Sequence, residues 1–227
     1  MGKIVVLTGA GISAESGLGT FRDAGGLWEK YPIEQVATPD AFARNPSLVH
    51  RFYNLRRAQA AEAEPNAAHV ALARLQKARE NVVILTQNVD GLHERAGARV
   101  LHMHGALDGA LCAHCDHRWT APPVMSPTDE CPACNTQAVR PDIVWFGEMP
   151  YHMAEIDAHL AEAELFVSIG TSGQVYPAAG FVTEARVYGA RTLELNLEAT
   201  APHAFDEARQ GPATQIVPEW VAEVLAN

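Results

Sequence analysis

Short apolar runs alternate with longer amphipathic segments along this chain, and the two patterns predict strands and helices respectively. The predicted strands are residues 3–8, 81–86, 99–103, 142–146, 164–169 and 191–196. The predicted helices are residues 46–62, 67–79, 153–163, 177–188 and 218–226. Strands that alternate with helices of this length are typical of an α/β fold, in which a Rossmann-like parallel sheet has helices on both faces.

Two stretches interrupt this alternation. Residues 38–77 predict a helical insertion, and residues 106–139 contain all four cysteines and predict a small zinc-ribbon insertion. We expect these two insertions to form a small domain. The remaining segments, 1–37, 78–105 and 140–227, are expected to form the Rossmann-like, dinucleotide-binding domain.

Composition and charge limit the classes of protein that fit. A chain of 227 residues that is 48% hydrophobic and 19% charged can bury a large core and is not of the disordered type. No apolar run approaches the roughly 20 residues that span a bilayer, and the first strand leaves no room for a signal peptide. We therefore expect a cytoplasmic protein that does not bind membranes, and a monomer, since no long apolar stripe demands a partner.

The net charge of −10 disfavours binding to nucleic acid and favours cationic partners such as lysine-bearing segments. Many soluble proteins carry such a charge for solubility alone, so this feature by itself does not identify a partner.

The first predicted strand runs directly into a glycine turn. Residues 9–14 read Gly-Ala-Gly-Ile-Ser-Ala, which fits the dinucleotide fingerprint with alanine in the last place. Glycines let the backbone approach a ligand closely, and amide groups at the start of the following helix can face a diphosphate. We therefore predict that this turn holds a nucleotide cofactor.

The segment after the turn does not fit a hydride-transferring dehydrogenase. Such an enzyme should show a second strand about 20 residues further on, ending in an acid that binds the adenosine ribose. Residues 20–31 instead read as a glycine-rich loop with one arginine and large aromatic residues. We predict that this loop covers the cofactor, with Arg22 near a phosphate or the leaving group; the alternative is a surface loop with a solvated arginine.

Two later strand ends carry polar residues that can line the same crevice. Asn196 and Glu198 follow the strand at 191–196, and Gly170-Thr171-Ser172 follows the strand at 164–169. Open parallel sheets bind ligands at this carboxyl edge. Each residue is also ordinary turn chemistry at a strand end.

Cys112 and Cys115 form one Cys-x-x-Cys pair, and Cys131 and Cys134 form a second, with 15 residues between the pairs. Two such pairs place four sulfurs at the corners of a tetrahedron, which suits zinc. Four sulfur ligands leave no position for water, so we predict a structural zinc ion. A redox dithiol pair is the competing interpretation.

Polar residues also follow two neighbouring strands. The segment Thr86-Gln87-Asn88-Val89-Asp90-Gly91-Leu92-His93 follows the strand at 81–86, and Leu101-His102-Met103-His104-Gly105 ends the next strand. Amides, a carboxylate and a histidine at adjacent strand ends can orient a ribose and move a proton.

Together these motifs resemble the sirtuin family of NAD-dependent protein lysine deacylases, most closely its bacterial, desuccinylase-type members. The resemblance runs in family order from residue 4 to about residue 217. It rests on the Gly9–Ser13 turn, Thr20-Phe21-Arg22, Gln87-Asn88-Val89-Asp90, His104-Gly105, the cysteine quartet, Val144-Trp145-Phe146-Gly147-Glu148, Gly170-Thr171-Ser172 and Asn196-Leu197-Glu198.

The resemblance implies a reaction and a set of site residues. NAD would be consumed as a co-substrate: the acyl oxygen of acyl-lysine attacks the ribose as nicotinamide leaves, and His104 then acts as general base, giving free lysine, nicotinamide and O-acyl-ADP-ribose. The implied catalytic residues are His104, Asn88 and Asp90. The implied cofactor contacts are Gly9, Ala10, Gly11, Ile12, Ser13, Ala14, Glu15, Thr20, Phe21, Arg22, Trp28, Gln87, Asn88, Val89, Asp90, Gly170, Thr171, Ser172, Asn196, Leu197, Glu198 and Ala213. An acyl-lysine peptide would lie as an extended strand beside Val144, Trp145, Phe146 and Gly147.

Tyr53 and Arg56 are three residues apart in the helix at 46–62 and therefore share a face. A phenol and a guanidinium side by side can bind a carboxylate. In the matching family members this pair recognises succinyl- or malonyl-lysine, so we expect activity on both succinyl- and acetyl-lysine. The alternative is an amphipathic helix with an exposed arginine.

Three other functions remain open at this point. Mono-ADP-ribosylation of protein would use the same cofactor and the same loss of nicotinamide. An NAD sensor or zinc-dependent interaction module would not need a proton acceptor such as His104 beside the ribose. A hydride-transfer oxidoreductase is disfavoured by the loop that replaces the second strand.

Overall fold

The structure is a computed structural model that describes residues 2–19, 30–200 and 203–226. Its strands are β1 (Lys3–Thr8), β2 (Val82–Thr86), β3 (Val100–His102), β4 (Gly105–Cys112), β5 (Arg118–Thr120), β6 (Val139–Ile143), β7 (Ala163–Ile169), β8 (Arg191–Asn196) and β9 (Glu207–Gln210). Its helices are α1 (Gly11–Ala14), α2 (Ile33–Val36), α3 (Pro39–Arg44), α4 (Pro46–Glu62), α5 (Ala67–Ala78), α6 (Leu92–Arg95), α7 (Met153–Ala161), α8 (Phe181–Val187) and α9 (Ala213–Ala226), with a 3₁₀ turn at Ala178–Gly180.

Six strands form one parallel sheet in the order β3-β2-β1-β7-β8-β9, which confirms the predicted α/β class. Strand β1 lies between β2 and β7, and Thr8 at its end is level with Thr86 and Ile169. The direction of connection along the sheet reverses at this point. In open parallel sheets, such a reversal opens a crevice at the carboxyl ends of the strands, where ligands bind.

The sheet is buried on both faces. Helices α5 and α9 cover one face, over a core that includes Ile4, Val6 and Trp220. Helices α7 and α8 cover the other face, over Val5 and Phe166. Because both faces are covered, the central strands read as continuous apolar runs, and this is why the sequence pattern predicts them well.

A second, antiparallel sheet joins β4 with β5 and β6 and carries the cysteines at one end. Helix α4 packs on β4 and β6 through Phe52 and Tyr53, which share a core with Leu107, Ile143 and Trp145. Helices α2 and α3 complete this layer.

Capping residues set the starts of the two longest predicted helices. Asn45 accepts a hydrogen bond from the Leu48 amide, and Pro46 is the first residue of α4, whose predicted bounds are confirmed. Asn66 caps α5 in the same way, and the Asn66 amide donates a hydrogen bond to Nδ1 of the His69 side chain.

Two predicted elements are wrong in position. The strand expected at 142–146 is β6, which ends at Ile143 and belongs to the antiparallel sheet. The last helix begins at Ala213 and not at residue 218, so Pro218 lies inside it. Burial of Val217 and Trp220 against the large sheet offsets the backbone hydrogen bond that proline cannot donate.

Helix α5 lies within the range assigned to the helical insertion, yet its buried residues belong to the core of the large sheet and it packs closely on α9. The helices that pack on the antiparallel sheet end at Glu62. The division into two domains stays a prediction. No helix of the described residues has the length and hydrophobicity of a membrane span.

Candidate active site

The glycine turn after β1 packs directly against the end of β7. The Gly11 amide donates to the Gly170 carbonyl over 2.8 Å, and a Cβ at Gly11 would lie 2.8 Å from the Gly170 Cα. Gly170 has a φ of +60°, and a Cβ there would lie 2.5 Å from the Ile12 nitrogen. The two backbones meet where the direction of connection along the sheet reverses, and they can do so only because both residues are glycine.

Most amides of the turn are already hydrogen bonded. The Gly9 amide donates to the Ile169 carbonyl, and the amides of Ile12 and Ser13 donate to the carbonyls of Gly9 and Ala10. The turn therefore offers a close backbone surface, and the expectation that its amides face a diphosphate stays a prediction.

Residues predicted to contact adenosine, such as Thr171 and Asn196, lie at or just after the ends of β7 and β8. Asn196 donates to the Thr171 carbonyl over 2.8 Å, and its own carbonyl accepts from the Gly211 amide. Glu15 accepts from both the amide and the hydroxyl of Thr214, one residue after Ala213 at the start of α9. Ser172 accepts from the Gln174 amide, whereas Leu197 and Glu198 are exposed.

The segment Gln87–Asp90 lies beside the turn. The Asn88 side-chain amide donates to the Gly9 carbonyl over 3.1 Å and to the Ser13 hydroxyl over 3.2 Å. Val89 is buried, and Asp90 accepts from the Leu92 amide at 3.1 Å. Burial raises the pKa of Asp90, although its hydrogen bonds and the charge of Arg56 act in the opposite direction.

A buried chain of hydrogen bonds connects His69 to Asp90 through Ser13. His69 Nδ1 accepts from the Asn66 amide, so Nε2 carries the proton and donates to Ser13 over 3.4 Å. Ser13 also accepts from Asn88, and its hydroxyl therefore donates to Asp90 over 3.2 Å. This directional chain fixes the Asp90 carboxyl group, and both Ser13 and His69 are buried.

A second buried histidine stacks against the first. The rings of His69 and His93 meet edge to face with centroids 4.9 Å apart. Thr8 donates its hydroxyl to Thr86, so His93 Nε2 is the donor to Thr8 over 3.0 Å. His93 Nδ1 then has no hydrogen-bond partner among the described residues.

His104, the predicted base, follows β3 beside this segment. Its Nδ1 donates to the Gln87 carbonyl over 3.1 Å, which leaves Nε2 as the basic nitrogen. Burial lowers the pKa of His104 below its ordinary value, and the hydrogen bond to Gln87 only partly opposes this. Gly105 is required next, because a Cβ there would lie 2.0 Å from the Asp142 carbonyl oxygen and φ is +76°.

His102, two residues earlier, makes a similar contact. Its Nδ1 lies 2.8 Å from the Asn88 carbonyl oxygen and its Nε2 lies 2.8 Å from a carboxylate oxygen of Glu94 in α6. Two histidines from one strand end thus bind two consecutive carbonyls of the Gln87–Asp90 segment.

The acyl-binding pair predicted on α4 lies in the adjoining core. The Tyr53 hydroxyl accepts a hydrogen bond of 3.0 Å from the indole nitrogen of Trp145, and burial raises the pKa of Tyr53 to about 12. The guanidinium carbon of Arg56 lies 5.9 Å from the centre of the Tyr53 ring. Arg56 is half-buried, and its positive charge interacts with the negative charge of Asp90. Arg57 points away and donates to the Leu107 carbonyl.

The segment Val144–Gly147 continues from β6 past His104. The Val144 amide donates to the His104 carbonyl over 2.9 Å, and Phe146 and Gly147 are exposed. The Trp145 side chain is buried and contacts Tyr53, so only the backbone of Trp145 is placed to line a peptide groove. Arg140 lies over the Trp145 ring at 3.5 Å and pairs with Glu148.

The four cysteines converge, as predicted. Their sulfur atoms all lie within 4.8 Å of one another, and the Cys112–Cys134 and Cys115–Cys131 separations are both 3.7 Å. Four sulfurs around a tetrahedral zinc ion lie about 3.8 Å apart, whereas a disulfide requires about 2.0 Å. The four cysteines are therefore positioned to bind a zinc ion.

Comparison with known proteins agrees with this geometry. Residues 9–177 match the model of the Sir2 family. The chain belongs to the Sir2 family. It is 56% identical over 99% of its length to an NAD-dependent protein deacylase of Caulobacter vibrioides, of which it covers 98%.

Solved Sir2 structures share the fold. A Sir2 homologue in complex with NAD is 37% identical and superposes with a TM-score of 0.90, over 98% of this chain and 89% of that one. A Sir2 variant bound to a deacetylated peptide and 3′-O-acetyl-ADP-ribose is 29% identical, with a TM-score of 0.84 over 98% and 94% of the two chains.

Four Sir2 cofactor contacts predicted from the sequence, Thr20, Phe21, Arg22 and Trp28, lie outside the described residues. The structure also adds four site residues that the sequence analysis did not assign a role: His69, His93, Glu94 and His102. His69 lies on the apolar face of α5, where the pattern favours a core histidine, and only the Asn66 cap three residues earlier could have indicated its orientation.

We expect the two buried histidines to make this Sir2 protein sensitive to acid. Burial lowers the pKa of His69 to about 4 and that of His93 to about 3. The unfolded chain binds these protons near pH 6.5, so stability falls as pH drops below that value, by about 2–3 kcal/mol per pH unit down to about pH 5. Urea unfolding at pH 7.5, 6.5 and 5.5 measures how the free energy of unfolding changes with pH. His93→Gln should reduce this pH dependence by about half. An unchanged pH dependence in that variant would contradict the lowered pKa of His93.

Proposed function

We propose that this protein is an NAD-dependent protein-lysine deacylase that removes acetyl and succinyl groups, and also the similar malonyl group, from lysine side chains. The products are free lysine, nicotinamide and O-acyl-ADP-ribose. The observation that carries the proposal is His104, whose Nδ1 donates to the Gln87 carbonyl and whose Nε2 is thereby a base beside the Gln87–Asp90 segment. A protein that only bound NAD would not need a proton acceptor there.

The crevice fits NAD. The Gly11–Gly170 contact leaves no side chain between the turn and the end of β7, so a diphosphate can lie against bare backbone. Asn196 and Thr171 line the side expected to hold adenosine, and the Gln87–Asp90 segment lines the other side. When bound there, NAD supplies a glycosidic bond whose cleavage releases nicotinamide.

The residues around the ribose have distinct roles in this proposal. Asn88 and Asp90, held by Ser13, orient the ribose and the carboxamide of nicotinamide. His104 takes a proton from a ribose hydroxyl, and its lowered pKa keeps the imidazole neutral and able to accept that proton at neutral pH. An extended substrate peptide would lie beside the segment that contains Val144, whose amide donates to the His104 carbonyl, and the exposed Gly147.

The choice of acyl group rests on Tyr53 and Arg56. Trp145 donates to the Tyr53 oxygen, so the Tyr53 proton is free to point toward a ligand, and the high pKa of this phenol keeps that proton in place. The Arg56 guanidinium can bind a carboxylate through two hydrogen bonds. A succinyl group carries such a carboxylate at its far end, whereas an acetyl group does not.

The zinc ion held by Cys112, Cys115, Cys131 and Cys134 would be structural. All four ligands are protein sulfurs, so no coordination position is left for a reacting group. The cytoplasmic location and the monomeric state stay predictions.

Mass spectrometry of the products formed from NAD and a succinyl-lysine peptide tests the proposal. We expect an unmodified lysine peptide, nicotinamide and a product with the mass of succinyl-ADP-ribose, and the same pattern with an acetyl-lysine peptide. ADP-ribose attached to the peptide would instead indicate mono-ADP-ribosylation. Unchanged NAD in the presence of both peptides would exclude both activities.

A further inference from the structure

His102 occupies an unusual position for a residue outside the reacting groups. It ends β3, two residues before His104, and its side chain reaches the backbone of the Gln87–Asp90 segment on one side and α6 on the other. Its side chain is only 16% exposed, whereas that of its partner Glu94 is 44% exposed. The ring therefore connects a buried carbonyl to a carboxylate at the surface.

The two contacts together fix the charge of the ring. The Asn88 carbonyl can only accept, so His102 Nδ1 must carry a proton. An ionised Glu94 can also only accept, so Nε2 must carry one as well. A histidine that donates from both nitrogens is an imidazolium cation.

The surroundings of the ring favour this charged form. Burial by itself would lower the pKa of His102, but the hydrogen bond and charge of Glu94, the Asn88 carbonyl and the charge of Asp90 together raise it. His93, the other titratable group that interacts with His102, is neutral because burial lowers its pKa to about 3. His102 and His104 thus lie on one strand end with pKa values shifted in opposite directions.

The hydrogen bond from His102 holds the backbone carbonyl of Asn88. The Asn88 side chain donates to Gly9 and Ser13, and its carbonyl accepts from His102, so both ends of the residue are held. A neutral His102 has one donor only. Either the Asn88 carbonyl or Glu94 would then face a ring nitrogen lone pair at a distance of 2.8 Å.

We propose that His102 is a positioning residue for deacylation, which as an imidazolium cation holds the Gln87–Asp90 segment in place and releases it when the ring loses its proton. The effect on turnover rests on the function proposed above, whereas the charged bridge does not. The loss of activity should appear on the alkaline side of the pH profile, because the pKa of His102 is raised and the cation is lost as pH increases through it. The lowered pKa of His104 acts on the acidic side.

The variant Glu94→Gln tests the bridge with little change in shape. It keeps an acceptor for His102 and removes the charge that favours the cation, so we expect the alkaline limb of kcat/KM for NAD to move to lower pH. In His102→Asn, an amide nitrogen can still donate to Asn88, and we expect the alkaline limb to disappear. His102→Leu removes the donor and should lower kcat/KM for NAD by about 10- to 100-fold, with the KM for peptide nearly unchanged.

A matched control is available on the surface. His152 also pairs with a glutamate, Glu155, at 3.3 Å, and its left-handed backbone conformation is one that asparagine tolerates. His152→Asn should leave both limbs of the pH profile where they are in the wild type. Circular dichroism confirms that each variant is folded before its kinetics are compared.

A nitrogen-15 NMR titration of the histidine side chains, without any substrate, measures the charge of His102 directly. Two protonated ring nitrogens at neutral pH, and a lower midpoint in Glu94→Gln, are expected. A neutral His102 at pH 7 would overturn the charged bridge even if the enzyme is active. Folded Glu94→Gln and His102→Asn enzymes with the wild-type alkaline limb would overturn its role in the reaction. A wild-type protein that consumes no NAD would instead defeat the proposed function.

Discussion

Replacement of His104 by alanine is expected to lower the rate of deacylation by about 10²–10⁴-fold, which is the usual contribution of a general base. The fold should be unaffected, because the side-chain hydrogen bond found for His104 runs to the Gln87 carbonyl, and the strand pairing beside it is made by backbone. His152→Asn, on the surface, is the matched histidine control and should retain wild-type turnover. Product formation from an acetyl-lysine peptide, followed by chromatography, gives both rates.

The position of His104 in the reaction can be tested in the same variant. If His104 acts only after nicotinamide has left, exchange of labelled nicotinamide into NAD should fall much less than deacylation does. Since burial lowers the pKa of His104, wild-type activity should stay constant from neutral pH down to below the ordinary imidazole value and then decline. Near-normal deacylation by His104→Ala would remove this residue from the mechanism.

The second large effect concerns the acyl group. Arg56→Met should lower kcat/KM for a succinyl-lysine peptide by about 10- to 100-fold, because two hydrogen bonds from a cation to the succinyl carboxylate are lost. The same change should alter kcat/KM for an acetyl-lysine peptide by less than about threefold, since an acetyl group carries no carboxylate to pair with the guanidinium. The ratio of the two values, measured under the same conditions, isolates acyl selection from general damage.

A control on the same helix makes the comparison sharper. Arg51 is exposed on α4, so Arg51→Met changes the same charge without reaching the core that holds Tyr53. It should leave the ratio unchanged. An equal loss of both activities in Arg56→Met would show that Arg56 supports the site as a whole and does not select the acyl group.

The strands of the large sheet could be predicted because burial on both faces produces continuous apolar runs, as in β1 and β7. Strand β9 reads Glu-Ala-Arg-Gln and lies at the sheet edge, where solvent exposure removes the apolar signal. Strand β4 contains two glycines and two alanines, which resemble loop composition, and its pairing with β6 is set by residues about 30 positions away. Such strands depend on tertiary partners that no local pattern contains.

Some features of the candidate site could also be predicted from the sequence, whereas others could not. The glycine turn, the cysteine pairs and the Gln87–Asp90 segment are contiguous in sequence, so their chemistry is visible in the sequence. The chain from His69 through Ser13 to Asp90 and the bridge from Glu94 through His102 to Asn88 join separate segments. Each member reads alone as a common surface or core residue. Trp145 illustrates the same limit, because its motif does not reveal that its side chain is buried and hydrogen bonded to Tyr53.

The stacking of Arg140 on Trp145 links two parts of the protein that have separate tasks. Arg140 follows Val139 in β6, and Val139 pairs with Cys112 of the cysteine cluster. Arg140 stacks on Trp145, which in turn donates a hydrogen bond to the hydroxyl of Tyr53. A shift of β6 caused by a change in the cysteine cluster would therefore pass through Arg140 and Trp145 to the hydroxyl of Tyr53. The packing around one phenol in the helical layer thus depends on the integrity of a cluster of thiols at one end of the antiparallel sheet.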